Sequence, residues 1–425
     1  MILAGVSISL ILDNNGIIKK SKDARREYRQ AQANEQADLS DLSDLIDDAT
    51  AEPTPKVNVN TKAEDNSTIN GKKGNSNNPT VPKGYIPINT ETSSWGDGTS
   101  APTQDSVDHG LVIKGDSDDN EWVWIPVDET TLATMCNTSN ETEYTLCGTS
   151  GETAVKTKLY SSTITIGKDS NTITRTTPGT TSDYREPDLV VGSNGTSYDA
   201  KEEYYKDILG FSSKEKMAEA FVADYNEMIV SIGKYGGFYI GRYELSESGV
   251  KKDQPTLTKT NWYDLYQKCK ILNASNKVEA RMIWGCQWDA TMNWLISSGA
   301  KTSDEVNKDS STWGNYKNYN TANNYTEGTA GYEKNAGSPQ NTGSSENWKA
   351  NNIYDLAGNV WEWTQEANNT GGRIQRGGGY SSNGSFGSAS NLLDGNSDYD
   401  IFSALRFSSH FNNKVTLDSR AWAPV

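Results

Sequence analysis

Apolar and polar positions follow two periods along this chain, and each period predicts a different element. In "GLVIKGDSDDNEWVWIPVD" they alternate, which predicts two strands around a Gly-Asp turn, with Trp122 and Trp124 on one face and Val123 and Ile125 on the other. In "SSKEKMAEAFVADYNEMIVSIGKYGG" the spacing becomes helical. Met217, Phe221, Tyr225 and Met228 form an inner stripe, Ser212 or Ser213 caps the start, and a glycine pair follows the end. "GFYIGRYEL" then reads as a strand, while "TNWYDLYQKCKILN" and "GCQWDATMNWLISSG" read as two further helices, the second with Trp288, Met292 and Leu295 on one face. Between these lie Thr/Ser/Asn/Gly-rich stretches. Residues 137–199 look like an insertion with one alternating run, "SSTITIG", and residues 301–350 are too long for an ordinary connection. Short helices, small strands and long loops predict an α+β head.

Upstream the pattern differs. "MILAGVSISLIL" is apolar but well short of the roughly 20 residues that span a bilayer, and it lacks the basic flank of a secretory signal. After "DNNG" the chain is rich in helix formers, with Leu39, Leu42 and Leu45 at helical spacing, so residues 1–48 are expected to form an N-terminal helix. Residues 49–105 turn to Pro, Thr, Asn, Ser, Lys and Gly, a composition that predicts a flexible linker. The head is then residues 106–425.

Charge and chemistry narrow the function. A formal net charge of -16 across 425 residues argues against nucleic acid and anionic membrane surfaces as partners. Only two histidines, His109 and His410, leave little room for histidine-based catalysis. No Cys-x-x-Cys pair occurs among Cys136, Cys147, Cys269 and Cys286. Cys136 and Cys147 bracket a polar loop and are either a disulfide or two free thiols, whereas Cys269 and Cys286 have the apolar surroundings of buried free thiols.

"YDLAGNVWEWT", residues 354–364, carries the most specific chemistry. Asp355 and Glu362 offer carboxylate oxygens, and Gly358 allows a tight turn that can aim carbonyls inward. Hard oxygen donors of this kind suit Ca2+. With "VWIPV" (123–127), "GGFYIGRYE" (236–244), "GCQWDATMNWL" (285–295) and "RGGGY" (376–380) in the same order, the chain resembles the formylglycine-generating-enzyme (sulfatase-modifying factor) family over residues 110–411. That family has a C-type lectin fold. The resemblance implies a structural Ca2+ held by the side chains of Asp355 and Glu362 and the carbonyls of Gly358 and Val360, although the family often has Asn at the first of these. "ILAGVSISLILDNNGIIKKSKDARREY" resembles the N-terminal segment of Gram-positive type IV pilin-like proteins, which implies anchoring at the cell surface or assembly into a pilus or envelope structure.

The family's oxidising members use two cysteines after the glycine run, and here Ser382 and Gly387 stand at those places. Neither can act as a thiolate or copper ligand, so no reaction is expected. The same fold serves as the variable protein of diversity-generating retroelements, whose adenine-directed rewriting of AAY codons cannot produce Lys, Glu, Gln, Met or Trp. Residues 380–413 contain none of those five. The segment 377–413 mixes aromatics with small polar residues, as antibody-like surfaces do. Its expected ligand-binding residues are Tyr380, Ser381, Ser382, Asn383, Phe386, Leu392, Leu393, Asp394, Asn396, Asp398, Tyr399, Asp400 and Phe402. The expected partner is a protein or glycan on another cell, phage or host surface. The alternatives are an enzyme related to the formylglycine-generating oxidases and a structural minor pilin.

Overall fold

The alternating runs and the helical stripes become two antiparallel sheets with helices beside them. The computed structural model describes residues 54–128, 131–132, 159–160, 163–165, 172–174, 184–185, 203–212, 214–258, 260–272, 278–316, 338–368, 373–385, 387–391, 393–395, 411–412 and 415–418. All of them belong to one unit, Thr54–Val425. The expected N-terminal helix and the Cys136–Cys147 pair lie outside the described residues.

The first sheet runs in the order β1 (Tyr85–Ile88), β2 (Val112–Gly115), β3 (Glu121–Pro126), β8 (Gly237–Gly241), β16 (Val415–Asp418) and β9 (Glu279–Met282), every neighbour antiparallel. Trp122 and Trp124 on one face of β3 and Val123 and Ile125 on the other are all fully buried, so this strand is covered on both sides. The second sheet joins β14 (Leu393–Gly395), β13 (Arg373–Arg376), β12 (Trp361–Asn368), β7 (Tyr184–Arg185) and β4 (Leu159–Tyr160), with β15 (Phe411–Asn412) parallel to β12. The run "SSTITIG" contributes β5 (Thr163–Thr165), which pairs antiparallel with β6 (Thr172–Thr174). A second small pair is β10 (Lys349–Ala350) with β11 (Ile353–Tyr354).

The helices begin where their caps dictate. A short α1 (Gln104–Asp108) is capped by Thr103, and α2 (Lys214–Tyr235) buries Phe221, Met228, Ile229 and Ile232. In α3 (Trp262–Ile271) the Asn261 side chain accepts from the backbone N–H of Asp264. In α4 (Gly285–Ser297) the Gln287 side chain accepts from the N–H of Trp284. Thr302 and Glu305 cap α5 (Ser303–Asn307) reciprocally. Cys269 and Cys286 are buried free thiols, as their apolar surroundings indicate. The fold class is α+β.

The linker expectation needs correction. From Thr54 onward the segment is packed: Val57, Ala63, Ile69, Val81 and Trp95 are buried, and β1 forms the edge of the first sheet. The indole N–H of Trp95 donates to the carbonyl of Val112 at 2.8 Å, that of Trp124 to Ser76 at 2.9 Å, and the Tyr239 hydroxyl to Thr80 at 3.0 Å. The polar residues that suggest a solvated chain are turn formers. Asn70 accepts from the N–H of Lys72, Asn75 from that of Asn77, and Asp97 from that of Thr99. Isolated apolar residues separated by such turns have no periodicity, yet each finds its own place in the core.

Candidate calcium turn and binding segment

The phrase 354–364 leaves β11, turns, and enters β12. The turn is built from left-handed residues: Asp355 (φ 58°), Gly358 (φ 73°) and Asn359 (φ 57°). Only Gly fits at 358, because a Cβ there would lie 2.5 Å from the carbonyl oxygen of Asn315. Gly358 donates its N–H to Gly377 (2.9 Å) and Asn359 its N–H to Asn315 (3.0 Å), which staples the turn to both the loop before residue 317 and the end of β13.

Asp355 and Glu362 are buried, at 1% and 0% exposure. One Asp355 oxygen accepts from the N–H of Gly343 at 2.7 Å. Glu362 lies against Gly377, where a Cβ would sit 2.1 Å from its Oε2. Val360 is fully buried. Arg376 is the cross-strand neighbour of Glu362, yet its guanidinium reaches Asp289 at 3.2 Å and the carbonyl of Ser390 at 3.0 Å, with both side chains of that ion pair fully buried. The carboxylates of Asp355 and Glu362 and the carbonyls of Gly358 and Val360 are hard oxygen donors, the kind that Ca2+ takes. The oxygen-only donor set of residues 355–362 therefore fits Ca2+ in chemistry. Among the described residues no group of three or more His, Cys, Asp or Glu side chains could hold a metal, and the implied set contains only two such side chains.

Two residues that sequence reasoning missed hold this region together. Asn359 is fully buried; its carbonyl oxygen accepts from the Asn315 amide (3.1 Å) and the Gln340 N–H (2.9 Å), while its amide donates to Glu244 (2.7 Å). Tyr316 places its hydroxyl 2.8 Å from the carbonyls of both Gly377 and Gly387, donating to one at a time. Burial, with Glu362 nearby, pushes its phenol well above the ordinary range. Asn359 sits inside the quoted phrase, so its presence was visible; its partners 19 to 115 residues away were not.

The glycine-rich segment after β13 is pinned at both ends. Tyr380 donates its N–H to Asn359 at 2.8 Å and is only 8% exposed, which corrects its expected place on an open binding surface. Ser381 and Ser382 are half-buried, and Asn383 and Ser385 reach solvent. Beyond them the chain dives back: Gly384 accepts from the N–H of Ser310, Ala389 bonds the hydroxyl of Ser310 and the indole of Trp288, and Ser390 donates to Val306. Leu393 and Asp394 belong to β14, paired with Gln375 and Ile374 of β13. Phe386, Leu392, Asn396, Asp398, Tyr399, Asp400 and Phe402 lie outside the described residues. A Cβ at Gly387 would meet the Cα of Gly378 at 3.1 Å and the ring of Trp361 at 3.2 Å, so this position is packed against the turn.

The chain matches no family model and no curated protein. Among the described residues no helix is long and apolar enough to cross a membrane.

Proposed function

We propose that the protein is a surface-displayed binding protein whose head has a formylglycine-generating-enzyme-like C-type lectin fold and presents the segment after β13 to a protein or glycan partner. The observation that carries this reading is the form of residues 377–391. A buried framework of Gly377, Tyr380 and Ala389 flanks a tip, Ser381–Ser385, in which Asn383 and Ser385 are exposed. A tip held between fixed ends loses little conformational freedom on binding, the property that favours adaptable polar and aromatic contacts. Ser382 and Gly387 supply no thiol where the resembling oxidases carry theirs, and Cys269 and Cys286 are buried, which favours binding over oxidation.

In this reading Asp355, Gly358, Val360 and Glu362 would hold a structural Ca2+ that neutralises the buried carboxylates and stiffens the platform under the tip. The N-terminal segment serves as the pilin-like anchor, and the segment 377–413 is written by a diversity-generating retroelement. The diversification has a decisive test in the genome encoding the chain. A repeat that matches codons 376–413 except at adenines, beside a reverse-transcriptase gene, is expected. A repeat identical at adenines, or none at all, rules it out.

A further inference from the structure

On the opposite side of Asp355 in sequence, Tyr354 is the hub of a cluster that the proposed function does not use. Its ring stacks on Tyr243 (centroids 5.1 Å apart, planes at 24°), and both residues are 2% exposed. Three cations converge on that ring: Arg242 at 5.7 Å, Lys252 at 5.6 Å and Lys349 at 5.6 Å from its centroid. Arg242 is held by Glu121 at 2.6 Å. The two lysines and the Tyr354 hydroxyl instead converge on one carboxylate, Glu346. Lys252 reaches Oε1 at 3.2 Å, Lys349 reaches Oε2 at 2.6 Å, and the hydroxyl donates to Oε1 at 2.7 Å.

Three features distinguish this arrangement from an ordinary surface ion pair. The donors come from two chain segments, Lys252 on one and the cross-strand neighbours Lys349 and Tyr354 of β10 and β11 on the other, and include a hydroxyl fixed on a buried, stacked ring. The carboxylate they grip is the outermost member, its side chain 60% exposed against 44% for Lys252 and 22% for Lys349. Partial burial raises the Glu346 carboxyl, but the bonds from Lys349, Tyr354 and Lys252 outweigh it and bring it down to about 2.

We infer that Lys252, Lys349 and Tyr354 form a carboxylate-recognition site that Glu346 covers in cis, and that an acidic side chain of a partner polypeptide takes its place in trans. A polypeptide fits better than a glycan for two reasons. The group already seated is a glutamate side chain reaching in from its backbone, and the Tyr243 and Tyr354 faces are closed to a sugar ring. The inference rests on this cluster alone and stands apart from the calcium and diversification readings.

The test uses the full chain in low-salt buffer containing calcium, with blocked diglutamate peptide, its diglutamine counterpart and free glucuronate as probes, followed through the lysine side-chain nitrogen resonances. Glu346→Gln keeps the side-chain shape and removes an internal competitor whose effective concentration is on the order of millimolar or higher, so diglutamate should bind about tenfold tighter or better than to the unsubstituted protein. Adding Lys252→Ala and Lys349→Ala to that variant should abolish binding, with the Lys252 and Lys349 signals carrying the shifts before. Equal affinity with and without Glu346, no binding by either protein, survival of binding without the lysines, or a preference for glucuronate or diglutamine overturns the assignment. Should Glu346→Gln fail to fold, Glu346→Ala serves the same comparison.

Discussion

Replacing Gly377 by alanine tests whether the buried Glu362 carboxylate is a fixed part of the turn. Gly377 has φ 86°, and an added Cβ would meet Glu362 Oε2 at 2.1 Å and the carbonyl of Leu356 at 3.2 Å. Gly299 offers an internal control, with φ 77° and nothing within 4 Å of the same added atom. The left-handed backbone alone costs an L-residue about 1–2 kcal/mol, and that is the whole expected loss for Gly299→Ala. Gly377→Ala carries the same backbone cost. It must also displace a fully buried carboxylate by roughly an ångström, adding an overpacking cost of about 1–3 kcal/mol. Urea unfolding should therefore show a total loss of about 2–5 kcal/mol, larger than that of Gly299→Ala by the overpacking cost. If Glu362 binds Ca2+, calcium should raise the urea midpoint of the unsubstituted protein and of Gly299→Ala, and chelation should lower both, while Gly377→Ala responds to neither. Equal losses for the two alanine variants would refute the contact; an undiminished calcium response in Gly377→Ala would refute Glu362 as a ligand.

Two other substitutions test separate parts of the same framework. Arg376→Met removes the buried ion-pair partner of Asp289 and should cost about 3–5 kcal/mol in urea unfolding; the double change with Asp289→Leu should be milder than that single one, and a worse double variant contradicts the charge argument. Trp95→Ala removes a fully buried indole and its bond to Val112, so a loss of about 3–5 kcal/mol is expected if residues 54–105 are core, whereas a linker would lose nothing measurable.

Where periodicity is strong, sequence and structure agree to within a residue or two. "TNWYDLYQKCKILN" becomes Trp262–Ile271 because Asn261 caps it and Trp262, Leu265, Tyr266 and Cys269 repeat at helical spacing toward the core. The alternation in 121–126 yields a strand, although nothing local shows that both of its faces are covered. Residues 54–105 mislead for a physical reason. Their apolar side chains are single and widely spaced, and their backbone is satisfied by Asx turns and isolated bridges that composition cannot distinguish from solvation. Tyr380 misleads because an aromatic on a small-polar background looks the same whether it is exposed or, as here, buried. Residue types locate the candidate calcium turn; its partners, Asn315, Gly343 and Gly377, depend on long-range folding that no local window contains.

The packed segment that begins at Thr54 also decides how the head bears tension. A pull entering at Thr54 meets the bridge of Lys56 to Thr68, then the backbone bonds of Asn60 to Pro87 and Ala63 to Tyr85, then the bridge of Ser67 to Val81, before the four residue pairs between β1 and β2. Bridges arranged in succession yield one after another, and unravelling as far as Gly84 releases roughly 100 Å of chain at about 3.3–3.6 Å per residue. Because Ser76 and Thr80 accept from Trp124 and Tyr239, such unravelling would also strip partners from the first sheet, so tension at Thr54 is felt in the core.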